Sequence, residues 1–244
     1  MQRYFMKLAY NGTAYHGWQV QPNGISVQGV LENTLSTLLR RETTVVGAGR
    51  TDAGVHAEMM VAHFDTPEAI PDTTALVHRL NGFLPKDIAI YDIYPVDDGM
   101  HARFSAKSRT YQYRLCTFKD VFSEKLSLQV HYDLDYALMN EAAARLSDYD
   151  DFTTFSKLHT DTKTNICKIM HARWEQSGTG RYTFTIRADR FLRNMVRAIV
   201  GTLFLVGNHK MDVNGFTQAI EGKNRNLAGS SAPAKGLFLT AVEY

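Results

Sequence analysis

The stretch Gly49-Arg50-Thr51-Asp52-Ala53-Gly54-Val55-His56-Ala57 is the densest group of polar and turn-forming residues in the chain. A run of β-type residues, 43–46, precedes it, and a second run, 61–64, follows it. Three glycines, one just before the stretch and two within it, let the backbone turn sharply at little steric cost. The pattern predicts a tight loop between two strands that presents Arg50 and Asp52, and loops on rigid supports often carry chemistry.

Asp52 has two explanations when it is considered alone. An Asp in a glycine-rich turn usually accepts hydrogen bonds from nearby backbone N–H groups, which is a purely local role. A catalytic carboxylate on the same loop is the other explanation. A dinucleotide-binding loop is rejected, because Asp52 occupies the third glycine position of a fingerprint that begins Gly47-x-Gly49, and its carboxylate would repel a pyrophosphate.

Length and composition set the class of protein. The chain has 244 residues, of which 44% are hydrophobic and 21% charged, as expected for one large or two small globular domains. Cys116 and Cys167 lack metal-ligand spacing and are predicted to be free thiols in a reducing compartment. The start of the chain has no signal-peptide pattern and no apolar run reaches the length of a membrane span, so we expect a cytoplasmic protein.

The distribution of charge is more informative than its total. Lys and Arg number 27 and Asp and Glu 25, a formal net charge of +2 that does not by itself indicate a nucleic acid partner. However, residues 101–119 contain five basic residues and no acid, and residues 187–197 contain four arginines and one acid. Basic stretches are often only solvated faces, but these two also carry aromatic residues, a combination typical of nucleic-acid binding.

Periodicity predicts an α+β fold with a mainly antiparallel sheet. In the first half we expect strands at 3–10 and 87–94, in addition to the two strands that flank the Asp52 loop. We also expect a helix at 27–39 capped by Ser26 and a short helix from Pro71 to Asn81. In the second half we expect strands at 109–116, 125–132, 166–174, 182–188 and 236–242, and helices at 135–146, 190–205 and 212–221.

Two features of the second half bear on function. In a helix at 190–205, Arg190, Arg193 and Arg197 would lie at i, i+3 and i+7 and share one face, which either faces solvent or meets phosphates or a carboxylate in a cleft. Tyr111, on an alternating strand, is either a packing residue or a stacking platform for an unpaired base. The histidines are scattered and form no ligand motif, so no metal site is expected.

Several ordered motifs over the full length make the chain resemble the TruA family of tRNA pseudouridine synthases. They are Tyr10-x-Gly12-x-x-Tyr15-x-Gly17-Trp18-Gln19-x-Gln21, the stretch around Asp52, His101-Ala102-Arg103-Phe104-Ser105-Ala106, Arg109-x-Tyr111-x-Tyr113, Met195-Val196-Arg197-x-Ile199-Val200-Gly201 and Ala232-Pro233-Ala234-x-Gly236-Leu237. The resemblance implies a pseudouridine synthase fold of two similar α+β halves. Each half would have a mainly antiparallel sheet flanked by helices, and the active-site cleft would lie between the two halves. The first half would be residues 1–104 and would carry the loop with the catalytic Asp52. The second half would be residues 105–244 and would carry the stacking Tyr111 and the arginine-bearing helix at 190–205.

The resemblance also implies roles for individual residues. Asp52 would be the catalytic nucleophile, Arg197 would pair with it, and Tyr111 would stack on the target uracil and is a candidate for proton transfer. Arg50 would help to hold the target nucleotide out of the stack. The remaining residues predicted to bind substrate are Arg109, Arg190 and Arg193.

The implied reaction is the isomerisation of uridine to pseudouridine on the 3′ side of the tRNA anticodon stem-loop, at positions 38, 39 and 40 of the tRNA. The family resemblance further implies a homodimer whose basic cleft grips the tRNA body. No metal, nucleotide or redox cofactor and no membrane partner are expected.

Two other classes of function are compatible with parts of the pattern. An RNA-binding module without chemistry would explain the basic, aromatic strands, but not a carboxylate between arginines, because that carboxylate weakens anion binding. A nucleosidase or a glycosidase could use Asp52, but it would normally need a second carboxylic acid, and the sequence close to Asp52 offers only Glu58.

Overall fold

The computed structural model describes residues 1–157 and 164–244. Within them the chain forms two compact units, Met1–Lys107 with Leu239–Tyr244, and Ser108–Phe238. The end of the chain thus folds with the first unit. Both units combine strands with helices. In the first unit the strand 2–10 pairs antiparallel with 56–66 and with 88–96, and in the second unit the strand 181–188 pairs antiparallel with 108–116 and with 169–178. The predicted α+β class with a mainly antiparallel sheet is confirmed.

The first unit is a sheet with two helices. Its elements are β1 (Gln2–Tyr10), α1 (Val27–Leu39), β2 (Val46–Gly47), β3 (His56–Thr66), α2 (Thr73–Phe83) and β4 (Ile88–Val96). The sheet has the order β4-β1-β3, and β2 pairs with β3. The last strand of the chain, β9 (Leu237–Glu243), lies next to β3.

The helices of the first unit begin at side-chain caps. The hydroxyl of Ser26 accepts a hydrogen bond from the N–H of Gly29, so the predicted cap and the predicted bounds of α1 are confirmed. The predicted start of α2 at Pro71 is wrong. The carboxylate of Asp72 accepts from the N–H of Ala75 and caps a helix that begins at Thr73 and continues to Phe83.

The second unit also combines a sheet with helices. Its elements are β5 (Ser108–Cys116), β6 (Leu128–Gln129), α3 (Tyr136–Ala144), β7 (Ile169–Gly178), β8 (Arg181–Ala188), α4 (Met195–Gly207) and α5 (Val213–Glu221). The sheet has the order β5-β8-β7, and β6 pairs with β5 in parallel. Asp135 and Asp212 cap α3 and α5.

Two predicted strands are much shorter than expected. The run 43–46 contributes only its last residue to β2, because side chains of α1 take its backbone N–H groups: Ser36 accepts from Thr43, and Glu32 accepts from Val45. The run 125–132 contains only β6, because the chain at Leu126 is still in a turn that begins at Ser123.

The predicted helix at 190–205 begins five residues later than expected, at Met195. The carboxylate of Asp189 accepts from the N–H of Arg190, and Asn194 adopts a left-handed conformation with φ of 65°. These contacts keep the chain out of a helix until Met195. Arg190 and Arg193 therefore precede α4, and the predicted arginine stripe at helical spacing is wrong. Arg197 alone of the three lies on the helix.

The core contains both cysteines. Cys116 and Cys167 are buried free thiols, as predicted. Burial raises the pKa of the Cys167 thiol to about 12. Within the described ranges, no helix combines the length and the apolar character needed to cross a membrane.

Candidate active site

Asp52 lies in a tight turn immediately before β3. The N–H of Val55 donates to the carbonyl of Asp52 at 3.1 Å, and Gly54 between them has φ of 77°, which favours glycine. Asp52 is half-buried, whereas Arg50 is exposed. The structure therefore brings Arg50 and Asp52 together on one loop, as the sequence predicted.

The segment from Tyr10 to Trp18 holds this turn in place. The hydroxyls of Tyr10 and Thr51 are 2.9 Å apart and buried. The N–H of Trp18 donates to the carbonyl of Thr51 at 3.2 Å, and that of Gly54 donates to the carbonyl of Tyr15 at 3.3 Å. Asp52 is thus flanked on both sides by residues whose backbone is fixed by a second segment.

Two glycines explain why this second segment can approach so closely. A Cβ at Gly12 would overlap the carbonyl of Val55. A Cβ at Gly17 would overlap the carbonyl of Thr51, and Gly17 also has φ of 91°. Both glycines belong to the motif that begins at Tyr10, but their support of the Asp52 turn was not predicted from the sequence.

Histidines support the same unit as hydrogen-bond acceptors. His56 Nδ1 accepts from the N–H of Gly12 at 3.0 Å, and His63 Nδ1 accepts from the N–H of Ala102 at 3.1 Å. Both imidazoles are buried, in accord with the core role left open for them. In the part of the chain that the structure describes, no group of His, Cys, Asp and Glu is arranged to hold a metal ion.

Tyr111 lies on β5 in the second unit and packs edge-to-face against Phe191. The ring centroids are 5.2 Å apart and the planes make an angle of 89°. Only 8% of Tyr111 is exposed. Phe191, in the loop before α4, thus constrains the orientation of the Tyr111 ring, and no role was predicted for it from the sequence.

Arg197 is fixed on α4 by the segment that follows the helices. Its Nε donates to the carbonyl of Ala232 at 2.7 Å, and the N–H of Ala232 donates back to the carbonyl of Arg197 at 2.9 Å. One turn earlier, the amide of Asn194 donates to the hydroxyl of Ser231 at 2.6 Å. The motif that begins at Ala232 was the sequence signal for this support.

The other predicted arginines of the second unit have different surroundings. Arg109 is buried, with 9% exposed, and its guanidinium donates to the carbonyl of Asp189 at 2.8 Å. The carboxylate of Asp189 accepts from the N–H groups of Lys168 and Arg190, both at 2.7 Å. The second unit thus brings Arg109 close to the backbone of Arg190, whereas Arg193 is exposed.

Comparisons with known proteins give a consistent result. The family described as tRNA pseudouridine synthase matches residues 7–105 and again residues 142–244. A tRNA pseudouridine synthase A from Bacteroides fragilis is 56% identical over 244 residues, which is 100% of this chain and 97% of the relative. The protein of that name from Porphyromonas gingivalis is 56% identical over 246 residues, covering 100% and 98%. One from Bacillus licheniformis is 39% identical over 241 residues, covering 97% of each chain.

Proposed function

The chain belongs to the tRNA pseudouridine synthase family, and on that premise we propose that it isomerises uridine to pseudouridine in the anticodon stem-loop of tRNA, at positions 38, 39 and 40. The observation that carries the proposal is Asp52 on a turn whose backbone is held by the Tyr10–Trp18 segment. A backbone fixed on both sides holds a carboxylate within the narrow range of positions that a catalytic group needs. Asp52 is therefore assigned the catalytic role.

The proposed chemistry conserves the composition of the uridine, although the hydrogen on C5 is exchanged for one on N1. The N1–C1′ bond breaks as the carboxylate of Asp52 attacks C1′ or stabilises the positive charge there. The released uracil turns and bonds to C1′ through C5, the carboxylate leaves, and the proton lost from C5 is balanced by the one gained at N1. The site must hold the free base and exclude water, because hydrolysis would leave an abasic nucleotide.

Tyr111 is proposed to stack on the target uracil while it is detached from the sugar. Its ring is held at a fixed angle by Phe191, which supports a platform rather than a mobile side chain. Tyr111→Phe separates the two roles of the residue, because it keeps the ring and removes the hydroxyl. We expect it to retain binding of the tRNA and to lose turnover only if the hydroxyl transfers a proton.

Arg197 is proposed to pair with Asp52 and keep its carboxylate ionised and oriented. The hydrogen bond from Nε to Ala232 supports this role, because it fixes the plane of the guanidinium. Arg50, Arg190 and Arg193 are proposed to bind RNA. For Arg109, the bond to the carbonyl of Asp189 supports an indirect contribution through the backbone that leads into Arg190.

We also propose that the protein acts as a homodimer in the cytoplasm, where tRNA is modified, and without a cofactor. The dimer rests on the family resemblance, and sedimentation at several protein concentrations tests it. Because phosphate contacts dominate RNA affinity, we expect tRNA binding to weaken steeply with added salt.

The test of the function uses a tRNA transcript with tritium at C5 of its uridines. Formation of the C5–C1′ bond expels the tritium, so its release into water measures turnover. We expect release by the wild-type protein and none by Asp52→Asn, which has nearly the same shape, while both bind tRNA equally. Glu58→Gln is the matched control, since Glu58 is an exposed acid on β3.

Three results would contradict the proposal. Binding without tritium release by the wild type would indicate a non-catalytic RNA-binding protein. Free uracil among the products would indicate a nucleosidase. Equal tritium release by the wild type and Asp52→Asn would support the activity but would show that Asp52 is not its catalytic residue.

A further inference from the structure

The turn His101–Ser105 is closed by hydrogen bonds at both ends. The imidazole Nδ1 of His101 accepts from the N–H groups of Arg103 and Phe104, at 3.1 and 3.3 Å. The N–H of Ser105 donates to the carbonyl of His101 at 2.9 Å, and the hydroxyl of Ser105 accepts from the N–H of His101 at 2.9 Å. The turn therefore has a defined conformation of its own.

The same turn is anchored to the first unit through Ala102, which is fully buried. Its N–H donates to His63 on β3 at 3.1 Å, and its carbonyl accepts from the hydroxyl of Tyr244 at 2.7 Å. The rings of His63 and His101 are in contact, with centroids 4.6 Å apart. Just before the turn, the guanidinium of Arg3 donates to the carbonyl of Met100 at 2.9 Å.

This rigid turn presents an aromatic ring and a cation to solvent. Phe104 is 76% exposed. The ring of His101 lies 4.4 Å from that of Phe104, and the guanidinium of Arg103 lies over the Phe104 ring, 5.5 Å from its centroid. A single exposed phenylalanine carries little information. An exposed phenylalanine beside an arginine, on a turn anchored at both ends, is the arrangement of a preformed stacking surface.

We propose that Arg103 and Phe104 form a second RNA-contact site, in which the Phe104 ring stacks on an unpaired base and the Arg103 guanidinium binds a phosphate of the same strand. The inference rests on the proposed function, because it requires an RNA substrate. Charge supports RNA as the occupant: residues 101–107 include Arg103 and the exposed Lys107 and contain no acid. An apolar protein partner would gain nothing from these cations.

The position of the turn indicates a role in binding rather than in bond breaking. His63, which anchors the turn, pairs with Phe5 on β1, whereas Tyr10 on the same strand contacts the Asp52 turn. Phe5 and Tyr10 are five positions apart along the strand, which is about 17 Å at the rise of an extended strand. Phe104 is therefore expected to set affinity for the RNA and its register, at a distance from the reacting uridine.

The first experiment measures the affinity of an unmodified tRNA transcript for Phe104→Ala and for a matched control. Phe83→Ala serves as the control, because Phe83 is also an exposed phenylalanine of the first unit, 65% exposed at the end of α2. We expect Kd for Phe104→Ala to rise about 5- to 150-fold, the range that base–aromatic stacking of ~1–3 kcal/mol corresponds to. The control should bind like the wild type.

Steady-state kinetics and unfolding separate binding from a structural effect. For Phe104→Ala we expect KM to rise with Kd, kcat at saturating tRNA to stay within about twofold, and the urea midpoint to stay unchanged. Phe104→Trp should restore affinity, and the fluorescence of the new indole should be quenched when tRNA binds. A structural role of Phe104 would lower the urea midpoint and would not produce this quenching.

The salt dependence distinguishes the two side chains. The logarithm of tRNA affinity falls linearly with the logarithm of salt concentration, and removing one phosphate contact makes this line less steep by about 1. Arg103→Gln should therefore reduce the steepness, and Phe104→Ala should not. The inference is overturned if Phe104→Ala binds tRNA as tightly as the wild type does. It is also overturned if the variant changes only the self-association of the protein. If instead the wild-type protein neither binds nor modifies tRNA, the proposed function itself fails.

Discussion

Arg197 and Ala232 are joined by two hydrogen bonds in opposite directions. The side-chain Nε of Arg197 donates to the carbonyl of Ala232 at 2.7 Å, and the N–H of Ala232 donates to the carbonyl of Arg197 at 2.9 Å. The guanidinium is thereby fixed in orientation relative to the backbone of its own helix. Such a bond requires the planar fork of arginine and is not available to the flexible ammonium of lysine in the same geometry.

Arg197→Lys is therefore expected to lower kcat strongly even though it keeps the positive charge. A misplacement of a catalytic group by about 1 Å costs on the order of 100-fold in rate, and we expect a loss of that size in tritium release. Arg173→Lys is the matched control, because Arg173 is an exposed arginine on β7 of the same unit. Equal rates for the two variants would contradict the role assigned to Arg197.

Gly17→Ala is expected to destabilise the protein by more than about 1–2 kcal/mol. The left-handed conformation of Gly17 alone accounts for that amount, and the overlap of the new Cβ with the carbonyl of Thr51 adds to it. Gly49→Ala is the control, since a Cβ at Gly49 would have no atom within 4 Å. Urea unfolding measures both. Similar midpoints for the two variants would show that the Gly17 contact is not needed.

Phe191→Ala is expected to reduce turnover by about 2- to 10-fold without unfolding the protein. The variant removes the edge-to-face contact that orients Tyr111, and such contacts contribute about 0.5–1.5 kcal/mol beyond the area they bury. Phe118→Ala, which shortens a partly exposed phenylalanine of the same unit, is the control. Single-turnover tritium release is the measurement. An unchanged rate for Phe191→Ala would show that Phe191 does not orient Tyr111 for the reaction.

The stability of the protein is expected to fall as the pH is lowered from about 6.5 to 4. Burial, with the charges of Arg3 and His101, lowers the pKa of His63 from 6.5 to about 4. Between these values the unfolded chain binds more protons at this position than the folded protein does, so the free energy of unfolding decreases with decreasing pH. The pKa of His101 is lowered as well, mainly by burial, which adds to the effect in the same direction.

His63→Gln tests the origin of this pH dependence. The glutamine oxygen can still accept from the N–H of Ala102, but it does not titrate. From urea unfolding at several pH values we expect the wild type to lose on the order of 1–3 kcal/mol over this interval and the variant to lose less. Equal losses in both proteins would place the titrating group elsewhere.

The amino-acid sequence alone determined the features that depend on neighbouring residues. The bounds of α1 follow from a cap at Ser26 and from apolar residues at helical spacing, both of which act within one or two turns. The tight turn at Asp52 follows equally from local glycines, and β5 follows from strict alternation. These patterns are readable because the interacting groups are close together in the chain.

Tertiary structure decided what depends on distant partners. Residues 43–45 have a β-type sequence, yet side chains of α1 accept from the N–H groups of Thr43 and Val45, and the segment does not extend β2. Residues 190–194 continue the periodicity of α4, yet Asp189 and the left-handed Asn194 delay the helix. Likewise, the contact between Arg197 and Ala232 joins residues 35 positions apart. A backbone group bonds to whichever partner the fold brings near, and local periodicity contains no information about that partner.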